Sequence, residues 1–195
     1  MSETEVARVR ELVLRFGWNA TAFQIVNPGI RHWFSAAGDA VIGYVRALGT
    51  AVVAGAPVCS LDRLEAVVDE WEAWARPRGR VCYFGAAGRM HALLAARRDR
   101  ATLVLGAAPW WTPARWAETV AARPSLRAQL RRARNKGVEI VEWRTAQAEA
   151  DPRLRVLLTE WLSTRGLPPL HFLVEPETLT RLEGRRIFVA ERRGE

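Results

Sequence analysis

Six cations with no acid among them make the stretch from Arg123 to Lys136 the part of this chain best suited to hold a polyanion. It carries Arg127, Arg131, Arg132, Arg134 and Lys136, and no Asp or Glu occurs between Glu118 and Glu139. At about 100° per residue, Arg127, Arg131 and Arg134 form one stripe, Arg132 and Lys136 lie on the far side, and Leu126, Leu130 and Ala133 share the face that remains. A helix over 126–136, capped by Ser125 and ended by Gly137, can therefore dock through its apolar face and still offer cations. Their targets would be nucleic-acid phosphates or anionic lipid headgroups, and a solvated basic face without a ligand is the alternative.

Few other groups have the type and setting for chemistry. His171 stands in the proline-fixed run Leu167-Pro168-Pro169-Leu170-His171-Phe172. There it is a candidate general base or contact residue, with a packed structural histidine as the alternative. His32 and His91 fall in strand and helix patterns and suit core or surface roles. Trp110 and Trp111, between Pro109 and Pro113, suit stacking on unpaired bases, a lipid interface, or packing of the loop on a sheet. Trp71, Trp74 and Trp161 lie on apolar helix faces and are expected in the core. Cys59 and Cys82 lack metal-ligand spacing, so no metal site is expected and both read as buried free thiols of a cytoplasmic protein. No Ser/His/Asp grouping follows from spacing.

These groups need a frame, and 195 residues that are 49% apolar and include nine Trp supply enough for a real core. The net charge of +8 favours anionic partners. Lys136 is the single lysine, so arginine abundance belongs to the whole chain and only its clustering is informative. Glu3, Glu5, Arg8, Arg10 and Glu11 leave no room for a signal peptide. Ala40 to Cys59 is long enough for a membrane span, but Gly43, Arg46, Gly49, Gly55 and Pro57 interrupt it. Two strands around Ala47-Leu48-Gly49-Thr50 explain it, and no transmembrane segment is expected.

The order of elements follows from period and punctuation. Ser2 and Glu5 form a capping box for a first helix with Val6, Val9, Val13 and Phe16 on one face. Strands are expected at 22–25, 32–36, 40–46, 50–54, 80–84, 101–105 and 138–143. Helices are expected over 61–74 with Ser60 as cap, over 89–96, from Thr112-Pro113, and from Asp151-Pro152 to Gly166 with Leu154, Leu157, Leu158, Trp161 and Leu162 on one face. A short helix at 177–182 precedes a last strand over 186–191, which sequence order leaves without a partner. The fold class is α/β (α+β) with a mixed sheet.

Several uncommon runs carry a resemblance: Asn19-Ala20-Thr21-Ala22-Phe23-Gln24, Val26-Asn27-Pro28-Gly29-Ile30, Val53-Ala54-Gly55-Ala56-Pro57-Val58-Cys59, Val81-Cys82-Tyr83-Phe84-Gly85, Ala133-Arg134-Asn135-Lys136-Gly137-Val138 and Pro168-Pro169-Leu170-His171-Phe172-Leu173-Val174-Glu175-Pro176. With them the chain resembles, along nearly its whole length, the C-terminal catalytic domain of bacterial phosphatidylglycerol lysyltransferases. The resemblance implies a tandem pair of acetyltransferase-like (GNAT) folds that moves an aminoacyl group, lysyl by the family's name, from aminoacyl-tRNA to a membrane phospholipid. It implies a first repeat over 1–145, a second begun but incomplete over 146–195, tRNA and an anionic phospholipid surface as partners, and a place peripheral to the inner membrane face. The chain departs from the pattern by lacking the membrane-spanning half of the large members and by stopping before most of the second repeat. It is therefore expected to be a fragment inactive alone, or else a non-catalytic RNA- or acidic-membrane-binding module. Aminoacyl-tRNA is the expected co-substrate and no other cofactor is implied. Acetyl-CoA is not expected, because Pro57 removes an amide donor from the segment after the central strand, where an acyl-CoA enzyme would hold its pyrophosphate.

Overall fold

The computed structural model describes residues 2–19, 21–86, 88–107, 111–164, 179 and 181–192. It falls into two compact units, Met1–Leu103 with Val156–Arg181, and Val104–Arg155 with Leu182–Glu195. The expected boundary at 145 falls inside the second of these.

The first unit is built on a four-stranded sheet in the order β1 (Arg31–Phe34), β2 (Val41–Ala47), β3 (Thr50–Ala54), β4 (Arg80–Phe84). The first two pairings are antiparallel and β3–β4 is parallel, which makes the sheet mixed. Leu48 and Gly49 both take positive φ, +48° and +71°, the twist that a two-residue hairpin between β2 and β3 requires. On one face α2 (Leu64–Ala75) sets Leu64, Val67, Val68 and Trp71 against Ile42, Tyr44, Ala51 and Val53, with Met90 of α3 (Gly88–Ala95) alongside. On the other face α1 (Glu3–Phe16) sets Val6, Val9, Leu12 and Val13 beside Ile25, Val26, Val41 and Ala54. Covered on both sides, β2 reads as a continuous apolar run rather than an alternating one. Gly43 permits this closeness, because a Cβ there would come within 2.4 Å of Ile25 Cγ2.

Ser2 caps α1, its Oγ accepting the Glu5 N–H at 3.2 Å. Ser60 does not cap α2. That helix starts at Leu64, after a turn in which the Ser60 carbonyl accepts the Arg63 N–H at 3.1 Å. Residues 22–25 are not a strand but part of a 3₁₀ helix, Ala22–Val26. Asn19 Oδ1 starts it by accepting the Thr21 N–H at 3.0 Å and the Thr21 hydroxyl at 2.7 Å. Residues 101–105 form no strand either, and Leu103, Val104 and Leu105 are exposed.

The second unit contains α4 (Trp116–Ala121), α5 (Pro124–Asn135), β5 (Val138–Trp143), α6 (Thr145–Ala150) and β6 (Ile187–Arg192). The last strand does have a partner. β6 runs antiparallel to β5, from Val138 opposite Arg192 to Trp143 opposite Ile187. One face of the pair packs Trp143, Ile187 and Val189 with Ala148, Leu154 and Leu182, and Trp143 Nε1 donates to Glu191 at 2.8 Å. The other leaves Ile140 and Phe188 exposed beside the two-pronged Arg186–Glu142 pair.

The Asp151-Pro152 helix is α7 (Pro152–Ser163), in which Leu154, Leu158 and Leu162 are half-buried. Leu157 and Trp161, expected on the same buried face, are exposed, so the covered stripe is one residue wide rather than an arc. No helix among the described residues is long and apolar enough to cross a membrane.

Candidate functional site

The basic helix forms as α5, with a different start from the one expected. Pro124 occupies the first turn and Arg123 the N-cap position without a side-chain cap, so Ser125 lies inside the helix. Its end is as expected. The Lys136 N–H reaches the carbonyls of Arg132 and Ala133, each at 3.1 Å, and Gly137 takes φ +72°. Leu126, Leu130 and Ala133 are half-buried while the rest of α5 is exposed. This is the division that the 3.6-residue period implies.

The cations divide into two groups. Arg127 reaches back over the preceding turn, its Nη1 donating to the Val120 carbonyl at 3.3 Å and to that of Ala121. These carbonyls belong to the last turn of α4, so Arg127 closes one helix and ties it to the next. Arg131, Arg132, Arg134 and Lys136 are exposed, and their side chains make no hydrogen bond or ion pair with any described residue. Arg132 and Arg134 also lie in the last helical turn, where the backbone dipole favours positive charge.

The aromatic residues ahead of α5 show a related arrangement. Trp111 is exposed and meets Trp116, the first residue of α4, edge to face at 6.3 Å and 84°. Trp110 lies outside the described residues, as does the 167–172 loop with His171. Gly166 and much of the helix expected at 177–182 lie outside them too.

In the first unit the polar groups close on one another. Buried Glu72 of α2 accepts the Tyr83 hydroxyl at 2.9 Å and pairs with Arg76 at 2.9 Å, Arg97 at 3.5 Å, and Arg100. Asp99 and Asp69 each pair at 2.7 Å, with Arg76 and Arg97 respectively. Burial, and then the Glu72 charge, push the Tyr83 phenol upward, so it remains a donor. The Arg76 guanidinium holds the exposed Asp99 carboxyl below its usual range. Three carboxylates against three guanidiniums leave no charge free to hold an anion, and the cluster fastens α2 to β4 and to the segment after α3. Sequence reasoning missed it, although Glu72 lies between Trp71 and Ala75 within the apolar arc of α2, and a charge there is the signal.

The remaining candidates are structural. The His32 side chain is fully buried, with Nε2 at 2.7 Å from the Ile25 carbonyl and Nδ1 at 3.1 Å from Glu5 Oε1, joining β1, the 3₁₀ helix and α1. His91 is exposed on α3. Trp71 and Trp74 stack at 5.3 Å, Trp71 being fully buried, as their helix face implied. Cys59 is buried and its thiol is pushed up to about 11, chiefly by burial. Cys82 is exposed, contrary to expectation, because β4 is an edge strand of the sheet. No group of three metal-ligating side chains occurs among the described residues.

In the segment after β3, Gly55 has φ +78° and donates its N–H to the Phe84 carbonyl at 2.8 Å, while Val58 exchanges backbone hydrogen bonds with Val41 at 2.9 and 3.0 Å. A Cβ on Gly55 would fall 2.2 Å from Thr21 Oγ1. Around Pro57, two amides of the loop are therefore already occupied.

Solved structures share this fold. L-PGS from Bacillus licheniformis is 18% identical with a TM-score of 0.59, over 96% of this chain and 57% of its own. The C-terminal domain of a candidate lysylphosphatidylglycerol synthetase from Agrobacterium fabrum is 19% identical with a TM-score of 0.64, over 100% of this chain and 62% of its own. The architecture is thus that of lysylphosphatidylglycerol synthetase C-terminal domains, a mixed α/β fold. The chain belongs to the family described as phosphatidylglycerol lysyltransferase, C-terminal, whose sequence model matches residues 10–195. No curated protein sequence matches it. The chain spans about three-fifths of the two solved chains, 57% and 62%.

Proposed function

We propose that this chain takes part in moving an aminoacyl group, lysyl by the family's name, from aminoacyl-tRNA to phosphatidylglycerol or a related membrane acceptor. The observation that carries the reading is α5: a helix docked by Leu126, Leu130 and Ala133 that presents Arg131, Arg132, Arg134 and Lys136 without partners among the described residues. Four cations at helical spacing suit the phosphates of a folded RNA, and Arg127 acts mainly by holding α5 on α4. The reaction exchanges one ester for another. It needs orientation of the donor ester, a proton acceptor for the lipid hydroxyl and stabilisation of an oxyanion, with no demand for redox chemistry. His171 is the candidate acceptor.

The acetyltransferase-like ancestry of the fold belongs to the same proposal, with acetyl-CoA replaced as acyl donor. Pro57 and the occupied amides of Gly55 and Val58 support that replacement, since a pyrophosphate needs free backbone donors. The test incubates the protein with lysyl-tRNA, alanyl-tRNA and phosphatidylglycerol vesicles, alone and together with the remaining portion of a longer relative. Aminoacylated lipid formed from lysyl-tRNA in the complemented mixture supports the reading. Absence of product there, with tRNA bound, favours the alternative of a non-catalytic binding module.

A further inference from the structure

The four-stranded sheet of the first unit has two edges, and they are finished differently. At β1 the side chains of α1 close over the strand: Glu5 Oε1 lies 3.1 Å from His32 Nδ1, and the Arg8 guanidinium sits 4.3 Å from the centre of the Phe34 ring. At the other edge, β4 pairs with β3 on one side and with no described strand on the other. In a parallel ladder a residue sends its N–H and C=O to the same neighbour, and successive residues alternate between sides. The Arg80 N–H donates to the Gly49 carbonyl at 3.0 Å and the Phe84 carbonyl accepts from Gly55 at 2.8 Å, so Arg80, Cys82 and Phe84 bond inward. Val81 and Tyr83 therefore turn their backbone groups outward, where no described residue meets them. Arg80 and Cys82 are exposed. An edge left open in this way is a template for another strand.

We propose that β4 is a self-pairing edge, through which two copies of this chain join their sheets by antiparallel β4–β4 pairing about a two-fold axis at Cys82. Cys82 is the central residue of Arg80–Phe84. An axis there sets Val81 of one copy opposite Tyr83 of the other, so the outward amides and carbonyls of both residues satisfy one another twice over. Cys82 then faces its own copy at a non-hydrogen-bonded pair, where Cα atoms lie about 4.5 Å apart, within the span of a disulfide. The side chains agree with this register. Val81 across from Tyr83 is a favourable pairing of β-branched and aromatic residues. Arg80 across from Phe84 sets a cation beside a ring and keeps the two Arg80 charges at opposite ends of the pair. A second copy suits the edge better than an arbitrary extended peptide, because one two-fold operation supplies the backbone match and the side-chain match together. So short an edge buries little area, and the pair is expected to be weak and concentration-dependent.

The experiment uses the full chain without tRNA or lipid, so its outcome is independent of the transferase reading. Diamide takes the two thiol hydrogens as a disulfide forms and is itself reduced to the hydrazine. Unmodified protein and Cys59→Ala are expected to give a covalent dimer on non-reducing gels. They should do so about tenfold faster than Cys82→Ser with Arg80→Cys, whose thiols would lie at opposite ends of the paired strands. Without oxidant, sedimentation velocity is expected to show monomer–dimer exchange that Cys82→Ser keeps. Cys82→Glu, which sets two carboxylates face to face on the axis, should abolish it. Val81→Pro removes an outward amide and should weaken the dimer about tenfold, with circular-dichroism melting to check its fold; exposed Cys82→Glu carries the test if Val81→Pro does not fold. A monomer at every concentration overturns the proposal, as do equal cross-linking rates from positions 80 and 82 or a dimer that Cys82→Glu leaves intact. Slow hydrogen exchange of the Val81 and Tyr83 amides in dilute monomer overturns it too, since the chain would then fill its own edge.

Discussion

The two arginine-rich regions of this molecule put the same side chain to opposite uses. Around Glu72, Arg76, Arg97 and Arg100 meet carboxylates at every turn, and the cluster is neutral and closed. On α5, Arg131, Arg132 and Arg134 meet nothing among the described residues. Charge that holds a fold together is paired in place, whereas charge set aside for a ligand is left open at some cost in self-repulsion. Arg127 stands between the two cases, on the same helix α5 but bonded to the carbonyls of its neighbour.

The largest effect that tests this contrast comes from breaking the closed cluster. Replacing buried Glu72 with Ala takes the acceptor from the Tyr83 hydroxyl and leaves Arg100 only the longer pair with Asp99 at 3.7 Å, and is expected to destabilise the first unit by about 3 kcal/mol in denaturant titration. The exposed Arg115–Glu118 pair beside α5 gives the comparison. With side chains 72% and 66% exposed, its removal by Glu118→Ala should change stability by less than about 0.5 kcal/mol. Equal losses at the two sites would remove the distinction.

A smaller effect tests how dry the first unit is. The Cys59 thiol is raised from an ordinary value of 9.0 to about 11, so its folded state resists ionisation. The stabilisation linked to this is fully present below about pH 9 and is lost as pH rises toward 11, because the unfolded chain ionises first. The total is at most about 2–3 kcal/mol, and Cys59→Ala should flatten stability across that window by the same amount. Exposed Cys82 should react with a thiol reagent in the native protein, while Cys59 reacts only on unfolding. Smaller still, Ser2→Ala removes the α1 cap and is expected to cost about 1 kcal/mol in thermal unfolding, with no change in anion binding.

What the sequence made legible follows the range of the interaction. Thr50–Ala54, Arg80–Phe84 and Val138–Trp143 are strands at the expected residues, because short apolar or β-branched runs bounded by Gly and charge specify them locally. The docking face and Gly137 end of α5 were likewise readable from period and cap chemistry. Residues 22–25 misled because so short an apolar run does not distinguish strand from 3₁₀ turn, and the deciding bonds come from Asn19. Residues 101–105 have strand composition but pair with no strand among the described residues. The β5–β6 pairing and the Glu72 cluster join residues far apart in the chain, which periodicity cannot reach. The dual use of arginine was hidden for the same reason, since only the fold shows that Arg127 has partners and Arg131 has none among the described residues.

The central claim is that α5 is a phosphate-holding surface rather than a solvated face, and the salt dependence of tRNA binding tests it most directly. Binding is measured by filter retention across a salt series for the unmodified protein, Arg127→Gln, and the combined Arg131→Gln, Arg132→Gln, Arg134→Gln variant. The account predicts that the combined variant keeps the stability of the unmodified protein to within about 0.5 kcal/mol. Its log–log salt slope should fall by roughly 0.7–0.9 for each lost phosphate contact. Arg127→Gln is predicted to change stability more and slope less, because its guanidinium is tied to Val120 and Ala121. An unchanged affinity and slope in the combined variant would contradict the account.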